Sequence, residues 1–268
     1  MSMKLAFIGG KYPDTLEDTA RLAADVGYEA LEFDYWNEFE ELITDDVVSW
    51  AQGVLQRHGV GVAAYGLWGY NHLSPDADER AHAHETLDRA IGCAEQLGAH
   101  ALVLGTGDMP DEPVERKLDE FATVFRPILK RIADAGMQPA FYAIHGGSFL
   151  DSVETFDLAC ERLPGVKLKY DPANWGDAGQ DYVEVARRCR DRMGHVHIKE
   201  VIHSEGRIVS QPPAGMGEIE WGKVLTFLYE GGYDGHLSVE PHMPPWTKGE
   251  ALRTNLILSK RHISRFLL

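Results

Sequence analysis

The sequence has 268 residues, a formal net charge of −16 and a pI near 5.1. Nucleic acids are bound by clustered Lys and Arg side chains, and this acidic chain shows no basic stripe, so nucleic acid is excluded as a partner. No apolar run reaches the ~18 residues that cross a membrane, and residues 1–10 lack the apolar core of a signal peptide, which predicts a cytoplasmic protein without a membrane partner.

The chain repeats one unit eight times: a short apolar strand, a loop, and an amphipathic helix that ends at glycine. One helix is expected in each gap between strands. The predicted strands, in chain order, are residues 4–8, 30–33, 60–65, 101–104, 139–145, 167–171, 195–199 and 237–240.

Glycine marks every predicted helix-to-strand joint, where a left-handed residue closes the helix before a tight turn. These joints are at Gly27, Gly59, Gly98, Gly136, Gly165, Gly194 and the pair Gly231-Gly232. Cysteines are few, and they form no Cys-x-x-Cys pair, so we expect reduced packing residues in helices. They are Cys93, Cys160 and Cys189.

Eight strand–helix units favour a closed parallel (β/α)8 TIM barrel, for which ~250 residues is typical. No Pro/Gly/Ser-rich linker or charge block divides the chain, so a single barrel domain over residues 1–268 is predicted. An open doubly wound sheet is the alternative. In a barrel the active site lies at the C-terminal ends of the strands, which makes the strand tips the place to search.

Three predicted strands end in side chains that bind divalent cations. Asp171 follows "VKLKY", His197 lies in "GHVHIK", and Glu240 follows "HLSV". An oxygen, a nitrogen and a second oxygen at neighbouring strand tips form the mixed ligand set that a divalent metal takes from an α/β protein. His145, at the tip of the fifth strand, and Glu32, on the second, are predicted to face the same mouth.

The chain resembles the xylose isomerase-like barrels, a family that includes sugar phosphate isomerases/epimerases, ketose 3-epimerases, hydroxypyruvate isomerases and inosose dehydratases. The resemblance covers nearly the whole chain and is carried by "GYEALEF", "GLWGYNHLSPD", "AIGCAEQLGAHALVL", "YDPANW", "GHVHIKE" and "GYDGHLSVEPH". It implies a metal held by Asp171, His197 and Glu240, with a fourth ligand, a glutamate, on the fifth strand.

That fourth ligand is missing here. Related chains often read "LALENHGG", and "AFYAIHGG" in this chain puts Ala143 at the glutamate position. His145, on the same face, is a predicted replacement metal ligand or proton donor. Asn174 stands where related epimerases often place a histidine that touches substrate, so it is a predicted substrate contact.

Four further residues are predicted to touch substrate: Glu32, Trp68, Arg207 and His242. Glu32 is alternatively part of a structural salt bridge, and the aromatic residues of the loops either stack on sugar rings or pack the loops and an interface. Residues 201–220 form a long loop with Gly and Pro hinges, predicted to be a lid or an interface arm.

The resemblance implies a divalent-metal-dependent isomerase or epimerase that acts on a sugar, sugar phosphate or keto-polyol by removing a proton next to a carbonyl, through a metal-stabilised enediolate. Glu240 is the predicted base, and His145 or Lys199 the proton donor. The missing glutamate favours the alternative of a dehydratase or lyase on a keto-sugar or inosose. A third hypothesis is a degenerate barrel that binds a sugar or a protein without turnover.

The expected cofactor is one divalent ion, either Mn, Mg, Co, Zn or Fe, because mixed nitrogen and oxygen ligands accept all of these. No phosphate-binding glycine motif follows a strand, which disfavours a nucleotide cofactor. The expected partners are a small carbohydrate and a second copy of the chain in a homodimer.

Overall fold

A computed structural model describes residues 2–10, 14–36 and 38–268 of the protein. Eight parallel strands close into a barrel. They are β1 (Lys4–Gly10), β2 (Ala30–Trp36), β3 (Gly61–Trp68), β4 (Ala101–Leu104), β5 (Gln138–Tyr142), β6 (Leu168–Tyr170), β7 (Met193–Ile198) and β10 (His236–Val239). Their spatial order is β1-β10-β7-β6-β5-β4-β3-β2. The (β/α)8 barrel prediction is confirmed.

Helices surround the barrel. They are α1 (Leu16–Val26), α2 (Phe39–Leu42), α3 (Asp45–His58), α4 (Ala77–Gln96), α5 (Val114–Asp134), α6 (Val153–Arg162), α7 (Pro172–Asp177), α8 (Tyr182–Cys189), α9 (Trp221–Glu230) and α10 (Gly249–Ile263). The expectation of one helix per gap is wrong twice, because two helices follow β2 and two follow β6. In the second case Asp171 and Pro172 start the short extra helix α7 directly at the strand end.

The glycine prediction is correct at six joints. Positive φ angles between 66° and 101° occur at Gly27, Gly59, Gly98, Gly136, Gly165 and Gly232. Gly194 is different, because it lies inside β7, where an added Cβ would be 2.3 Å from the carbonyl oxygen of Pro139. Its role is to let β7 approach the base of β5, rather than to close a helix.

The strands alternate between two apolar regions. On β2, Leu31, Phe33 and Tyr35 pack into the main cluster between barrel and helices. Smaller side chains fill part of the barrel interior, in a separate cluster made of Ala64, Trp68, Ala101, Val103, Ala140 and Tyr142. Four of these six are alanine or valine, which leaves space inside the barrel for polar side chains.

The long segment after β7 contains an antiparallel hairpin, β8 (Ile202–Ser204) and β9 (Arg207–Ser210), turned by Glu205 and Gly206 with φ angles of 52° and 71°.

All three cysteines are free and helical, as predicted. In the part of the chain that the structure describes, every helix is too short or too polar to cross a membrane.

Candidate metal and substrate site

The mouth of the barrel gathers charged side chains because each contributing strand points alternate residues inward. Strand β7 directs His195 and His197 into the interior, and both are buried. Asp171 and Glu240 each follow the last residue of their strand, β6 and β10. The strand tips therefore bring together the three residues that the sequence predicted as ligands.

Glu32 forms the floor of this cluster. Its two carboxylate oxygens accept hydrogen bonds from Nε2 of His195 and Nε2 of His197, both at 2.8 Å. Burial raises the pKa of Glu32, but the charges and hydrogen bonds of the two imidazoles outweigh this effect and hold the pKa well below its usual value. Glu32 is fully buried and is not among the residues that line the cavity, so it holds the two histidine rings from below.

His197 connects the floor to the mouth. Its Nδ1 is 2.8 Å from Glu240 Oε2 and 3.8 Å from Asp171 Oδ2. Burial lowers the pKa of His197, but the Glu32 carboxylate and the hydrogen bonds to both glutamates raise it to about 9. One imidazole nitrogen is thus held by Glu32 while the other faces two carboxylates, the arrangement in which a carboxylate orients a metal-binding histidine.

The two carboxylate oxygens of Asp171 have different surroundings. Oδ1 caps α7 by accepting hydrogen bonds from the backbone N–H groups of Ala173 and Asn174, at 3.1 and 3.2 Å. Oδ2 is buried and has no hydrogen-bond partner among the described residues. A buried carboxylate oxygen without a donor is costly, and a cation next to it would remove that cost.

The three residues fit a divalent cation. One atom from each of Asp171, His197 and Glu240 lies within 4.8 Å of the others. Two metal–ligand bonds of about 2.0–2.2 Å span up to about 4.4 Å, which covers the 2.8 and 3.8 Å from His197 Nδ1 to Glu240 and Asp171. Three protein ligands with a position left open is the usual composition of a catalytic site, whereas structural zinc sites are closed by four. Lys199 Nζ lies 3.1 Å from Glu240 Oε1, while Glu240 Oε2 lies 2.8 Å from His197 Nδ1, so an ion at this site would replace the contact between these two ligand atoms.

A second group, Glu32, His195 and His197, also brings ligand atoms within 4.8 Å. Only His197 of these three lines the cavity, whereas both His197 and Glu240 of the first group do. The group of Asp171, His197 and Glu240 is therefore the candidate metal site that a substrate in the cavity could reach.

A chain of hydrogen bonds crosses the mouth from one wall to the other. Asn174 Nδ2 donates to Nε2 of His145 at 2.9 Å, and Lys199 Nζ donates to Asn174 Oδ1 at 3.2 Å and to Glu240. Burial lowers the pKa of His145 to about 4, which keeps this ring neutral at physiological pH. His145 therefore lies at the site but outside both candidate ligand groups.

The charge of Glu240 is fixed by its neighbours. Burial raises the pKa of Glu240, but Lys199 and the hydrogen bonds from His197 and His242 hold it well below the usual range. His242 Nδ1 lies 3.0 Å from Glu240 Oε1. Burial also lowers the pKa of Lys199, and the carboxylates of Glu240 and Asp171 more than restore it. A carboxylate held ionised in this way suits a metal ligand better than a proton acceptor.

These residues surround a cavity of about 390 Å³ at the C-terminal end of the barrel. One wall is aromatic: the rings of Trp36 and Trp68 stack with centroids 5.5 Å apart, and Trp68 stacks on Tyr142 at 4.3 Å. The lining residues include Asp34, Trp68, His145, Lys169, Asn174 and Lys199. The hairpin contributes Ile208, and Gln211 follows it, which places this segment over the cavity.

Two lining residues, Asp34 and Lys169, were not predicted as site residues. Asp34 is 3.1 Å from the indole N–H of Trp68, which donates to it, and burial raises the pKa of Asp34 to about 7. The predicted second strand ended at Phe33, whereas β2 continues to Trp36. The alternation that brought Glu32 inward brings Asp34 inward one step nearer the mouth, so a longer strand would have identified it.

Arg207 does not reach the site. Its side chain is 80% exposed, lies 3.8 Å from Glu205, and is absent from the cavity lining, because it begins β9 on the outer side of the hairpin. Of the other predicted substrate contacts, Trp68, Asn174 and His242 line the cavity, while Glu32 lies below it.

A closed parallel barrel with an acid and histidine cluster at its C-terminal mouth has the organisation of a (β/α)8 barrel enzyme. The model of the xylose isomerase-like TIM barrel family matches residues 20–261, and the chain belongs to that family. Known members similar to this chain are enzymes, both epimerases and dehydratases.

One relative is an inosose dehydratase of Clostridium tetani strain Massachusetts / E88, 27% identical over 133 residues, which are 44% of this chain and 45% of that protein. The matched part is thus less than half of this relative. Among solved structures, D-psicose 3-epimerase with D-tagatose from Clostridium cellulolyticum H10 has a TM-score of 0.80 at 15% identity, covering 100% of this chain and 99% of that one. IOLI protein with a binding zinc atom also has a TM-score of 0.80, at 17% identity, covering 99% of each chain. At these identities the structures establish the shared fold.

Proposed function

We propose that the protein is a divalent-metal-dependent isomerase or epimerase that moves a proton on the carbon next to a carbonyl of a polyhydroxylated substrate. The observation that carries the proposal is the donor set of Asp171, His197 and Glu240, together with the buried Oδ2 of Asp171, which accepts no hydrogen bond among the described residues. A divalent ion held there supplies Lewis-acid polarisation of a carbonyl oxygen, which makes the neighbouring C–H group more acidic.

Two protein groups can exchange protons with a substrate in this cavity. Asp34 comes from β2 and His145 from the loop after β5, and three strand-to-strand steps separate these strands around the eight-stranded barrel. Both side chains lie beside Trp68: Asp34 accepts its indole N–H at 3.1 Å, and the His145 ring is 5.5 Å from the indole ring. Epimerisation needs two such proton-exchanging groups, since one removes the proton and the other returns it to the opposite face of the carbon.

The protonation states support these roles. With a pKa of about 7, Asp34 is partly ionised near neutral pH, which suits a general base. His145 is neutral, and its Nε2 accepts from Asn174, so the N–H is at Nδ1 and available for donation. Lys199 holds Asn174 and Glu240 in place and carries a positive charge close to the polarised oxygen.

A second candidate function, dehydration, is favoured by Ala143. The buried methyl group of Ala143 leaves the fifth strand without a carboxylate, and the relative from Clostridium tetani is an inosose dehydratase. In that reaction Asp34 would remove the proton and His145 would protonate the departing hydroxyl group.

One experiment separates the two candidates. Mn²⁺-loaded protein is incubated in D2O with a panel of ketoses and inososes, and the products are followed by NMR and mass spectrometry. Isomerisation or epimerisation keeps the carbon skeleton and its oxygens and introduces deuterium beside the carbonyl. Dehydration removes one water and creates a C=C bond. Failure of every substrate to exchange deuterium, with metal bound, would contradict both.

A further inference from the structure

Lys169 is a buried ammonium group without a hydrogen bond. Its side chain is 2% exposed and lines the cavity, one residue beyond the start of β6. The nearest anionic atom is Asp171 Oδ2 at 3.6 Å, beyond hydrogen-bond distance, and the Trp68 ring centroid is 5.4 Å away. Within the described residues, Lys169 Nζ donates to no acceptor, although it carries three N–H bonds.

Lys199 provides the comparison within the same site. It is also buried, but its Nζ donates to Asn174 Oδ1 and Glu240 Oε1. Two of its donors are therefore satisfied and its charge is balanced by a carboxylate. Lys169 faces the same cavity with an ion-pair contact to Asp171 Oδ2 at 3.6 Å but with no hydrogen-bond acceptor among the described residues, which leaves its buried N–H donors unsatisfied.

A metal ion at the proposed site would compete with Lys169 for Asp171. Asp171 Oδ2 is the oxygen that faces the ion, and it is also the carboxylate oxygen nearest to Lys169 Nζ. A divalent ion on that oxygen and an ammonium 3.6 Å from it repel each other. An anionic oxygen group placed in the cavity between them would relieve the repulsion and accept the free N–H donors.

We propose that Lys169 is the binding group for an anionic oxygen substituent on the substrate, so that the natural substrate is a hydroxylated carbonyl compound carrying a carboxylate or a phosphate. This inference rests on the proposed function, because it takes the remaining oxygens of the same substrate to lie at the metal. The ammonium lies over the Trp68 ring and its side chain is only 2% exposed, and such a low-dielectric environment strengthens its attraction for an anion. The cavity of about 390 Å³ has room for a six-carbon sugar acid.

The test uses three non-reacting probes of similar size: D-gluconate with a carboxylate, D-sorbitol 6-phosphate with a phosphate, and uncharged D-sorbitol. Binding to Mn²⁺-loaded protein is measured by isothermal titration calorimetry. The variants are Lys169→Met, which keeps the length of the side chain without its charge, and Lys169→Arg, which keeps the charge. Lys130→Met is the matched control, since Lys130 is 76% exposed and pairs with Asp134 on α5.

We expect an anionic probe to bind the wild type more tightly than sorbitol does. Lys169→Met should weaken that binding ~10- to 100-fold, as expected for a lost hydrogen bond to a charged group. Lys169→Arg should retain part of the affinity, and sorbitol binding should not change. Preference for gluconate identifies a carboxylate, and preference for sorbitol 6-phosphate identifies a phosphate.

The inference is overturned if both anions bind no better than sorbitol, or if Lys169→Met leaves their affinity unchanged. It is also overturned if Lys169→Met raises Mn²⁺ affinity without affecting the anions, because Lys169 would then stand in the place of the ion. Mn²⁺ titration without a probe tests the proposed function separately. If no Mn²⁺ binds while gluconate still depends on Lys169, the metal proposal fails and the anion site stands.

Discussion

The chemistry of the site depends on residues whose two ends face different surroundings. Asp171 caps α7 with one oxygen, while the other is buried near His197 without a hydrogen-bond donor among the described residues. His197 is held by Glu32 at one nitrogen and faces Asp171 and Glu240 with the other. In both residues the local fold fixes one atom, and this orients the second atom toward a ligand.

Variants of His145 and Ala143 test whether His145 replaces the glutamate that the fifth strand lacks. If His145 transfers a proton, His145→Ala should lower kcat ~10²- to 10⁴-fold, while Mn²⁺ affinity stays unchanged because His145 lies outside the ligand group. Ala143→Glu should hinder the reaction. His82→Ala, at an exposed position, serves as the control. A harmless His145→Ala combined with increased ketose epimerisation by Ala143→Glu would show that His145 only packs and that the site is an impaired epimerase.

Asp34 should make stability depend on pH. Its folded pKa of about 7 lies above the usual 3.8, so the folded protein holds this proton more tightly than the unfolded chain does. The free energy of unfolding therefore falls as pH rises from about 4 to about 7. The variant Asp34→Asn has no titrating group at this position and should not show this decrease. In urea titrations of metal-free protein, the free energy of unfolding of the wild type should therefore fall by a few kcal/mol relative to that of the variant between pH 5 and 8.

The control for this measurement is Asp134→Asn, a change at an exposed position on α5. It should follow the wild type at every pH. If Asp34→Asn also runs parallel to the wild type, the Asp34 carboxyl titrates normally and loses its support as a base near neutral pH.

At the scale of the elements, strand β2 supplies inward-facing carboxylates at two heights in the barrel. Glu32 lies beneath the histidines, and Asp34 lies one step nearer the mouth, at the cavity wall. Glu32→Gln keeps the shape but removes the charge that orients His197. It should weaken Mn²⁺ binding ~10- to 100-fold without adding a cavity, measured by calorimetry. Unchanged affinity would mean that packing alone orients the His197 ring.

The sequence was sufficient to predict the barrel, because apolar strands and glycine-closed helices recur at regular intervals. The bounds of β4 match the prediction at both ends. The strand ends at the mouth were harder to predict. Strand β2 runs three residues beyond its predicted end, and β5 stops at Tyr142, before His145. Polar and aromatic residues at strand tips lack an apolar alternation, so the pattern cannot show where pairing ends.

The grouping of Asp171, His197 and Glu240 was predictable from strand tips and family motifs, but the contacts of their neighbours were not. Glu32 was expected to touch substrate, and only the observed hydrogen bonds show that it supports the histidines. The missing partner of Lys169 depends on the relative positions of β6 and β3, which are far apart in sequence. Arg207 belongs to a hairpin whose orientation no local pattern determines.

For the whole molecule, a metal bound only by the native state should raise stability by mass action. At a Mn²⁺ concentration 100 times Kd the gain is ~2.7 kcal/mol, or roughly 5 °C in Tm for a chain of this size. Adding a chelator should reverse the shift, as followed by differential scanning calorimetry. If the chelator changes neither the Tm nor the activity, the result would favour a barrel that binds ligands without a metal.

The most direct test of the account is metal content after equilibrium dialysis against Mn²⁺, measured by inductively coupled plasma mass spectrometry. Wild-type protein should hold about one ion per chain, and so should Asp134→Asn, which changes an exposed carboxylate on α5. The double variant Asp171→Ala, His197→Ala should hold almost none, because two of the three ligands are gone. Equal metal content in the wild type and the double variant would contradict the assignment of the site.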